Sequence, residues 1–234
     1  MFPVRDNIPS KSFPVINWLI IVVNTLIFLL ELMLPNEVLE QFFYLFGLVP
    51  ARFSHPGWAD LNGLHADNYW PFVTNMFLHN GWSHFIGNMW TLFIFGDNVE
   101  DRLGHFRYLA FYLLCGLGAS LTHFYVYSYS TVPALGASGA ISGVMAAYMV
   151  LFPRAKILMF FPLIIIPLFF EISAFIYLAF WFFIQLFNGT FGLLSANEAT
   201  GIAFWAHIGG FVSGLFLYRY FYKRKKYRRY TDYW

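Results

Sequence analysis

Charged residues are scarce in this 234-residue chain, at 11% of the sequence, whereas apolar residues make up 59% and aromatic residues 23%. Ordinary soluble domains carry about one quarter charged residues, so this composition excludes a soluble globular domain and indicates an integral membrane protein. A chain of this length can hold about six spans of roughly 20 residues each, together with their connections. We therefore expect one compact transmembrane bundle.

Cysteine is nearly absent, since Cys115 is the single one and lies within an apolar run. One cysteine cannot form an internal disulfide, so cysteine usage carries no information on the redox compartment. A small-x-small cleavage site is also lacking after the first apolar run, although Arg5 and Lys11 precede that run as they would in a signal peptide. This absence favours a retained membrane anchor.

Six apolar runs follow one another, separated by segments that contain Pro, Gly, Asn and charged residues. They cover residues 16–34, 71–95, 106–127, 138–152, 160–187 and 201–222. The sequence thus predicts an all-α membrane protein of six spans. Its parts are a short N-terminus at 1–15, the spanning domain at 16–222 and a basic tail at 223–234. The segment between the first two spans mixes aromatic and polar residues, so we expect a long first outer loop at the membrane interface.

Basic residues concentrate on one side of the predicted bundle, and of the 14 lysines and arginines only Arg52 falls on the other side. Lysine and arginine accumulate in cytoplasmic loops, so both termini are expected to be cytoplasmic. The basic cluster from Lys223 to Arg229 directly follows the last span. This position favours contact with anionic lipid in the bilayer over binding of nucleic acid.

Two polar side chains lie at membrane depth, Ser138 within GASG and His207 within AHIGG. A polar side chain in hydrocarbon is costly, so it indicates a functional site by default. The segment 128–135 is a poor helix former and must reach Ser138 as irregular chain. Such backbone is tolerated at depth only inside protein or beside a water-filled cavity. We therefore expect a water-containing pocket at Ser138, open to the outer side.

Small residues recur every four positions beside both polar groups, which predicts close contact between the fourth and sixth spans. They are Gly139, Gly143 and Ala147 on one span and Ala206, Gly210 and Gly214 on the other. A packing interface alone would also explain this pattern. The functional interpretation is that Ser138 is a nucleophile and His207 its base, because histidine commonly activates a serine hydroxyl. Glu171 is the one acidic residue in the fifth run that could orient His207, although a structural pairing explains it better.

The second run adds His79, His84 and Asn88. On a helix, residues four apart share a face, so His84 and Asn88 can point at the same place. Their N–H groups could stabilise a tetrahedral oxyanion. A metal site is the alternative, but no acidic or cysteine ligand accompanies these histidines. We expect neither a metal nor another cofactor, and a structural role for His79.

Together these motifs resemble the rhomboid family of intramembrane serine proteases, in particular its bacterial six-span members. The matching runs are HNGWSHFIGN at 79–88, FGDNVEDRLG at 95–104, GASG at 136–139 and AHIGGF at 206–211. The resemblance implies that Ser138 is the nucleophile, His207 the base, and Asn88 with His84 the oxyanion stabilisers. Glu100 and Arg102 would make structural polar contacts at the end of the second span.

The resemblance also implies substrates, location and access. Substrates would be single-span membrane proteins with a helix-weakening segment near the outer face, cleaved in the bacterial inner membrane. They would enter past the fifth span, beneath a movable loop from Asn188 to Thr200. Many relatives carry a tyrosine four residues after the nucleophile, where this chain has Ser142. Another ring, Trp205 or Phe204, is expected to support His207 instead.

Two other classes of function remain as alternatives. A catalytically silent rhomboid-like protein would bind client spans without cutting them, and it would be expected to lose Ser138 or His207, both of which are present. A small transporter or channel would have internal repeats or a lining of ionisable groups. The sequence shows no repeat, and Glu171 and Gln185 would make a sparse pathway.

Overall fold

The computed structural model describes residues 2–163, 166–194 and 203–222. Six longer helices in this part of the chain occupy regions where spans were predicted: α1 (Val15–Met33), α6 (Trp82–Leu103), α7 (His105–Val126), α8 (Ser138–Leu151), α9 (Ala174–Leu194) and α10 (Phe204–Phe221). Four short helices lie between α1 and α6: α2 (Asn36–Phe46), α3 (Ala51–Ser54), α4 (Pro56–Leu61) and α5 (Pro71–Thr74). The basic tail at 223–234 lies outside the described residues.

Within the described residues, the helices α1, α7 and α9 are long and apolar enough to cross a membrane. α8 is shorter, at 14 residues, and a helix of this length spans about 21 Å. These helices indicate an integral membrane protein, while the count of six spans stays a prediction. α6 begins at Trp82, and the preceding part of the second run is not the start of the span. Residues 71–77 form short helical turns, and residues 78–81 are not helical.

The prediction of an all-α protein is wrong for three segments, which form an antiparallel sheet. β1 (Phe2–Asp6), β2 (Lys156–Leu163) and β3 (Ile166–Ser173) lie in that order across the sheet. Phe2 pairs with Phe160, and Lys156 with Ser173. The first half of the run 160–187 is therefore not a span, and the fifth long helix begins at Ala174. Proline lacks the N–H that a helix interior needs, so Pro162 and Pro167 oppose a continuous helix.

Glu171 lies on this sheet and not within the fifth span, where the sequence predicts it. It lies on β3, where its carboxylate accepts from the Lys156 ammonium group at 2.9 Å. Both side chains are more than half exposed. Glu171 therefore pairs with a lysine on the sheet and does not orient His207.

The segment between α1 and α6 is folded around Arg52, the basic residue that broke the charge pattern. Arg52 is 1% exposed. Its guanidinium donates to the carbonyl oxygens of His65 at 2.9 Å and Leu45 at 3.1 Å. These bonds tie the turns of the loop together, so the charge of Arg52 has a structural role and does not conflict with the predicted orientation.

α8 lies at the centre of the bundle, and every residue from Gly139 to Tyr148 is buried. Its small face meets that of α10, as the spacing predicted. A Cβ added at Gly210 would lie 1.9 Å from the carbonyl oxygen of Gly139, and one at Gly214 would lie 2.3 Å from that of Gly143. Real Cβ atoms do not approach so closely, so these glycines permit the backbones of the two helices to touch.

The end of α6 holds the start of α1, which confirms the structural role predicted for Glu100. The buried Glu100 carboxylate accepts from the backbone N–H groups of Ile16 at 3.0 Å and Asn17 at 2.7 Å. The first N–H groups of a helix have no partner within it, so this carboxylate satisfies two of them. Arg102 lies 4.9 Å over the ring of Phe152 and so joins α6 to the end of α8.

Candidate active site

Ser138 is the first residue of α8, and irregular chain leads to it from the end of α7. Gly136 has φ of +120°, a backbone conformation that residues other than glycine rarely adopt. Its N–H donates to the carbonyl oxygen of Asn75 at 2.9 Å. This bond and the bend at Gly136 place Ser138 at the start of the helix. The backbone N–H groups of the first turn of a helix have no partners within that helix.

His207 lies in the first turn of α10 and meets Ser138 across the contact between α8 and α10. Nε2 of His207 is 2.8 Å from Oγ of Ser138, which is hydrogen-bonding distance. The structure therefore brings together the two residues that were 69 positions apart in the sequence. The small faces on both helices place the side chains at this distance.

His84 and Asn88 lie one turn apart on α6 and face the same space as Ser138 and His207. Asn88 is 7% exposed, and its amide nitrogen has no hydrogen-bond partner among the described residues. A Cβ at Gly136 would lie 2.5 Å from Nε2 of His84 and 3.6 Å from Nδ2 of Asn88. Both polar groups are thus directed at the backbone just before Ser138, and a substituent at Gly136 would fill the space between them.

A cavity of about 490 Å³ connects these groups. α6, α8, α9 and α10 all contribute to its wall, and the exposed residues Ser83 and Gly87 mark where it reaches the surface beside α6. The residues that line it are Asn80, Ser83, His84, Gly87, Asn88, Thr91, Leu135, Ser138, Ile141, Met145, Tyr177, Trp181, Ala203 and His207. The cavity has the mixed character typical of substrate sites, with a few polar groups in an apolar wall.

Two residues of α9 contact His207 and were not predicted to do so. Oε1 of Gln185 lies 2.8 Å from Nδ1 of His207. The Trp181 ring lies beside the imidazole, with ring centroids 5.8 Å apart and planes inclined by 37°. The signal in the sequence was weak: Gln185 is one amide in an apolar run, and a lone tryptophan there is ordinary.

The ring beside His207 is that of Trp181, so the prediction that Trp205 or Phe204 would support the imidazole is wrong. The Trp205 indole N–H donates to the carbonyl oxygen of Gly189 at 3.1 Å and so joins α10 to α9. Ser142 is fully buried, and its hydroxyl donates to the carbonyl oxygen of Ser138 at 2.6 Å. The position four residues after Ser138 thus holds a serine whose hydroxyl bonds within α8 and supplies no ring to His207.

Other predicted features of the region are located as follows. The His79 imidazole packs against the rings of Phe28, Phe85 and His84. The segment Asn188–Leu194 continues α9 as helix instead of beginning a loop, and residues 195–200 lie outside the described part of the chain. In the ranges that the structure describes, no group of three or more His, Cys, Asp or Glu side chains could hold a metal ion.

Comparison with known proteins identifies the family. The rhomboid domain model matches residues 66–224, which include the four residues at the candidate site. Rhomboid-like protein 11, chloroplastic, of Arabidopsis thaliana is 40% identical over 78 residues, 33% of this chain and 28% of the relative. Rhomboid protease AarA of Providencia stuartii is 36% identical over 93 residues, 34% of this chain and 33% of the relative.

A third relative, rhomboid protease GluP of Bacillus subtilis, is 37% identical over 90 residues, 38% of this chain and 17% of the relative. The chain thus spans a third or less of the length of these three relatives. The match to the domain model, however, extends over more than half of the chain and joins the segments that form the cavity. The chain belongs to the rhomboid family.

Proposed function

We propose that this protein is an intramembrane serine endopeptidase that cleaves peptide bonds in or near transmembrane segments of membrane-protein substrates. The observation that carries the proposal is the 2.8 Å contact between Nε2 of His207 and Oγ of Ser138. Proton transfer from a serine hydroxyl to an imidazole requires this distance. Family membership and the protease names of AarA and GluP support the same reaction class.

In the proposed reaction, Ser138 Oγ attacks the scissile carbonyl while His207 accepts its proton. His207 then gives this proton to the leaving amine, and water hydrolyses the resulting ester in a second pair of steps. The first proton transfer, from Ser138 to His207, takes place between groups that are already within hydrogen-bonding distance. The chemistry requires no metal and no other cofactor.

The developing oxyanion would be stabilised by Asn88, His84 and the start of α8. The unpartnered amide nitrogen of Asn88 is a donor available for a charge that exists only during reaction. Donors directed at the site of developing charge are often the largest single contribution to catalysis. The positive end of the α8 dipole, at Ser138, acts in the same direction.

The volume of the cavity is consistent with an extended substrate segment. An α-helix with its side chains is about 10–12 Å wide and keeps its carbonyl groups in internal hydrogen bonds. A volume of about 490 Å³ suits a few extended residues instead of an intact helix. Substrate spans with a helix-weakening segment, containing glycine or proline, would lose less free energy on unwinding.

The same proposal includes the location of the protein. Its partners are transmembrane substrates and the lipid bilayer, and we place it as a multi-pass protein of the bacterial inner membrane with both termini in the cytoplasm. The rival function is that of a catalytically silent member that binds client spans. The presence of both Ser138 and His207 argues for the protease.

The test is cleavage of a type I membrane substrate by the purified protein in liposomes. Ser138→Ala and His207→Ala are each expected to abolish cleavage. Ser128→Ala and His65→Ala are the matched controls, because these residues lie outside the cavity, and they should cleave at the wild-type rate. Cleavage that survives Ser138→Ala would remove Ser138 as the nucleophile. Binding of the substrate span without cleavage by the wild type would favour the silent member.

A further inference from the structure

Gln185 is a buried amide in the apolar helix α9, and both ends of its side chain have partners. It is 7% exposed. Oε1 lies 2.8 Å from Nδ1 of His207, and Nε2 lies 3.4 Å from the carbonyl oxygen of Trp181, one turn earlier. Burying an unpaired amide is unfavourable, and these contacts offset that cost.

The two contacts fix which way the amide faces. The Trp181 carbonyl oxygen can only accept, so the NH₂ group of Gln185 faces it and the amide oxygen faces His207. That oxygen also can only accept, so Nδ1 of His207 must carry a proton. In a neutral imidazole the other nitrogen, Nε2, is then the acceptor. Nε2 is the atom that lies 2.8 Å from Ser138 Oγ.

We propose that Gln185 is the positioning residue of the dyad, holding His207 in the tautomer and orientation that can accept the serine proton. The inference rests on the proposed function, because it assigns a role within that reaction. Among the described residues, no carboxylate forms a hydrogen bond with His207. An amide takes the place that an aspartate holds in serine protease triads, where it orients the histidine.

Trp181 completes this arrangement from the same face of α9. Residues four apart on a helix are neighbours, so Trp181 and Gln185 approach His207 together. The tryptophan ring lies beside the imidazole at a centroid distance of 5.8 Å, and the amide oxygen lies at its Nδ1. α9 thus sets the geometry of a residue that belongs to α10.

The test compares two substitutions at position 185 in the full-length protein. Gln185→Met keeps the length of the side chain but removes the acceptor, so kcat should fall about 10- to 100-fold, by analogy with the removal of groups that orient metal-binding histidines. KM should be unchanged, because the lost effect acts in the transition state. Gln185→Glu keeps an acceptor and should restore kcat at pH values above the acidic limb of its own pH profile.

The pH profile separates positioning from packing. The carboxylate in Gln185→Glu stabilises the protonated form of His207, which is inactive as a base. The acidic limb of its kcat profile should therefore move to higher pH than in the wild type. Gln41→Met is the matched control, because Gln41 is the other glutamine of the chain and is exposed on α2. This control should have wild-type kcat.

The outcomes distinguish failure of the role proposed for Gln185 from failure of the proposed protease function. A folded Gln185→Met with wild-type kcat would overturn the role of Gln185 while leaving the protease intact. If Gln185→Met does not fold, Gln185→Ala is measured in its place: a loss of kcat of the same size supports positioning, and wild-type kcat overturns it. A wild type that neither cleaves substrate nor reacts with a fluorophosphonate at Ser138 would overturn the proposed function and the role of Gln185 with it.

Discussion

At the residue scale, the candidate site contains a buried donor that is unfavourable for folding and that the proposed reaction would use. Asn88 is buried with an unpartnered amide nitrogen, whereas Asn98 on the same helix is buried with its amide donating to Asp6 at 3.0 Å. A buried donor without a partner lowers stability. Groups of this kind persist at sites where stability is exchanged for activity.

This contrast predicts opposite effects of the same substitution at two positions. Asn88→Ala should lower kcat by about 10²- to 10³-fold, as expected for loss of an oxyanion donor. It should not lower the melting temperature, because no hydrogen bond among the described residues is lost. Asn98→Ala should lower the melting temperature and keep most activity per folded molecule. Cleavage kinetics and thermal unfolding in the same detergent measure both, and an unstable but active Asn88→Ala would contradict the assignment.

Gly136 allows a second prediction at this scale. Gly136→Ala would introduce a Cβ 2.5 Å from Nε2 of His84, in a backbone conformation with φ of +120°. We expect loss of at least about 10²-fold in kcat, since a displacement of 1 Å at a site can cost that much. Gly63→Ala is the matched control: Gly63 also has positive φ, but no atom lies within 4 Å of its Cβ position. Equal losses in both variants would assign the effect to backbone strain.

At the scale of secondary structure elements, the site depends on how closely α8 and α10 approach. Ser138 and His207 sit at the same end of this contact, and Gly143 and Gly214 touch further along it. Close approach of helices through small residues is the main source of packing between membrane helices. The geometry at Ser138 is therefore set partly by residues that do not line the cavity.

Gly214→Ala tests this dependence away from the cavity. Its Cβ would lie 2.3 Å from the Gly143 carbonyl oxygen, so the helices must separate. We expect destabilisation of about 1–3 kcal/mol from overpacking, and a lower kcat in the molecules that remain folded. Gly57→Ala, in α4, is the control with no atom within 4 Å. Wild-type activity and stability of Gly214→Ala would show that the helix contact is not needed.

The elements also show what could be predicted from the sequence. Ser138 at a helix start, its contact with His207 and the pairing of glycine faces followed from local spacing. The sheet did not, because an apolar strand and an apolar span have similar composition. Pro162 and Pro167 were the available signal against a helix. β1 exists only through its pairing with β2, a contact between residues about 150 positions apart that no local pattern contains.

Gln185 and Trp181 were missed for a different reason. Their role depends on where α9 lies relative to α10, and neither residue belongs to a motif. The sequence predicted which polar groups would meet at the candidate site, but it did not indicate which neighbouring helix would contact His207. Only the packed structure shows that one side of α9 places a ring beside the imidazole and an acceptor at its Nδ1.

At the scale of the whole molecule, the fold ties together segments that are distant in sequence. β1 pairs with β2, and the backbone N–H of Lys11 and of Ser12 donates to Asp101 at the end of α6. These contacts bring the N-terminal segment, the end of α6 and the sheet together at one end of the bundle. The helices α2–α4 around Arg52 are part of the predicted outer loop.

The predicted orientation can be tested because the single native cysteine, Cys115, is fully buried. Asp60→Cys on α4 and Arg154→Cys before β2 introduce thiols at exposed positions. In intact bacteria, a membrane-impermeant maleimide should label only Asp60→Cys, and labelling of Arg154→Cys should require permeabilised cells. The reverse pattern would contradict both cytoplasmic termini, and labelling of the unmodified protein would expose a reactive Cys115.

The most direct measurement of the central claim is the position of a covalent adduct. The purified protein is treated with a fluorophosphonate in liposomes, digested and mapped by mass spectrometry. If His207 activates Ser138, the adduct lies on Ser138, and it is lost in folded His207→Ala and after denaturation of the wild type. An adduct on another serine, or equal labelling of Ser138 in His207→Ala, would contradict the Ser138–His207 dyad.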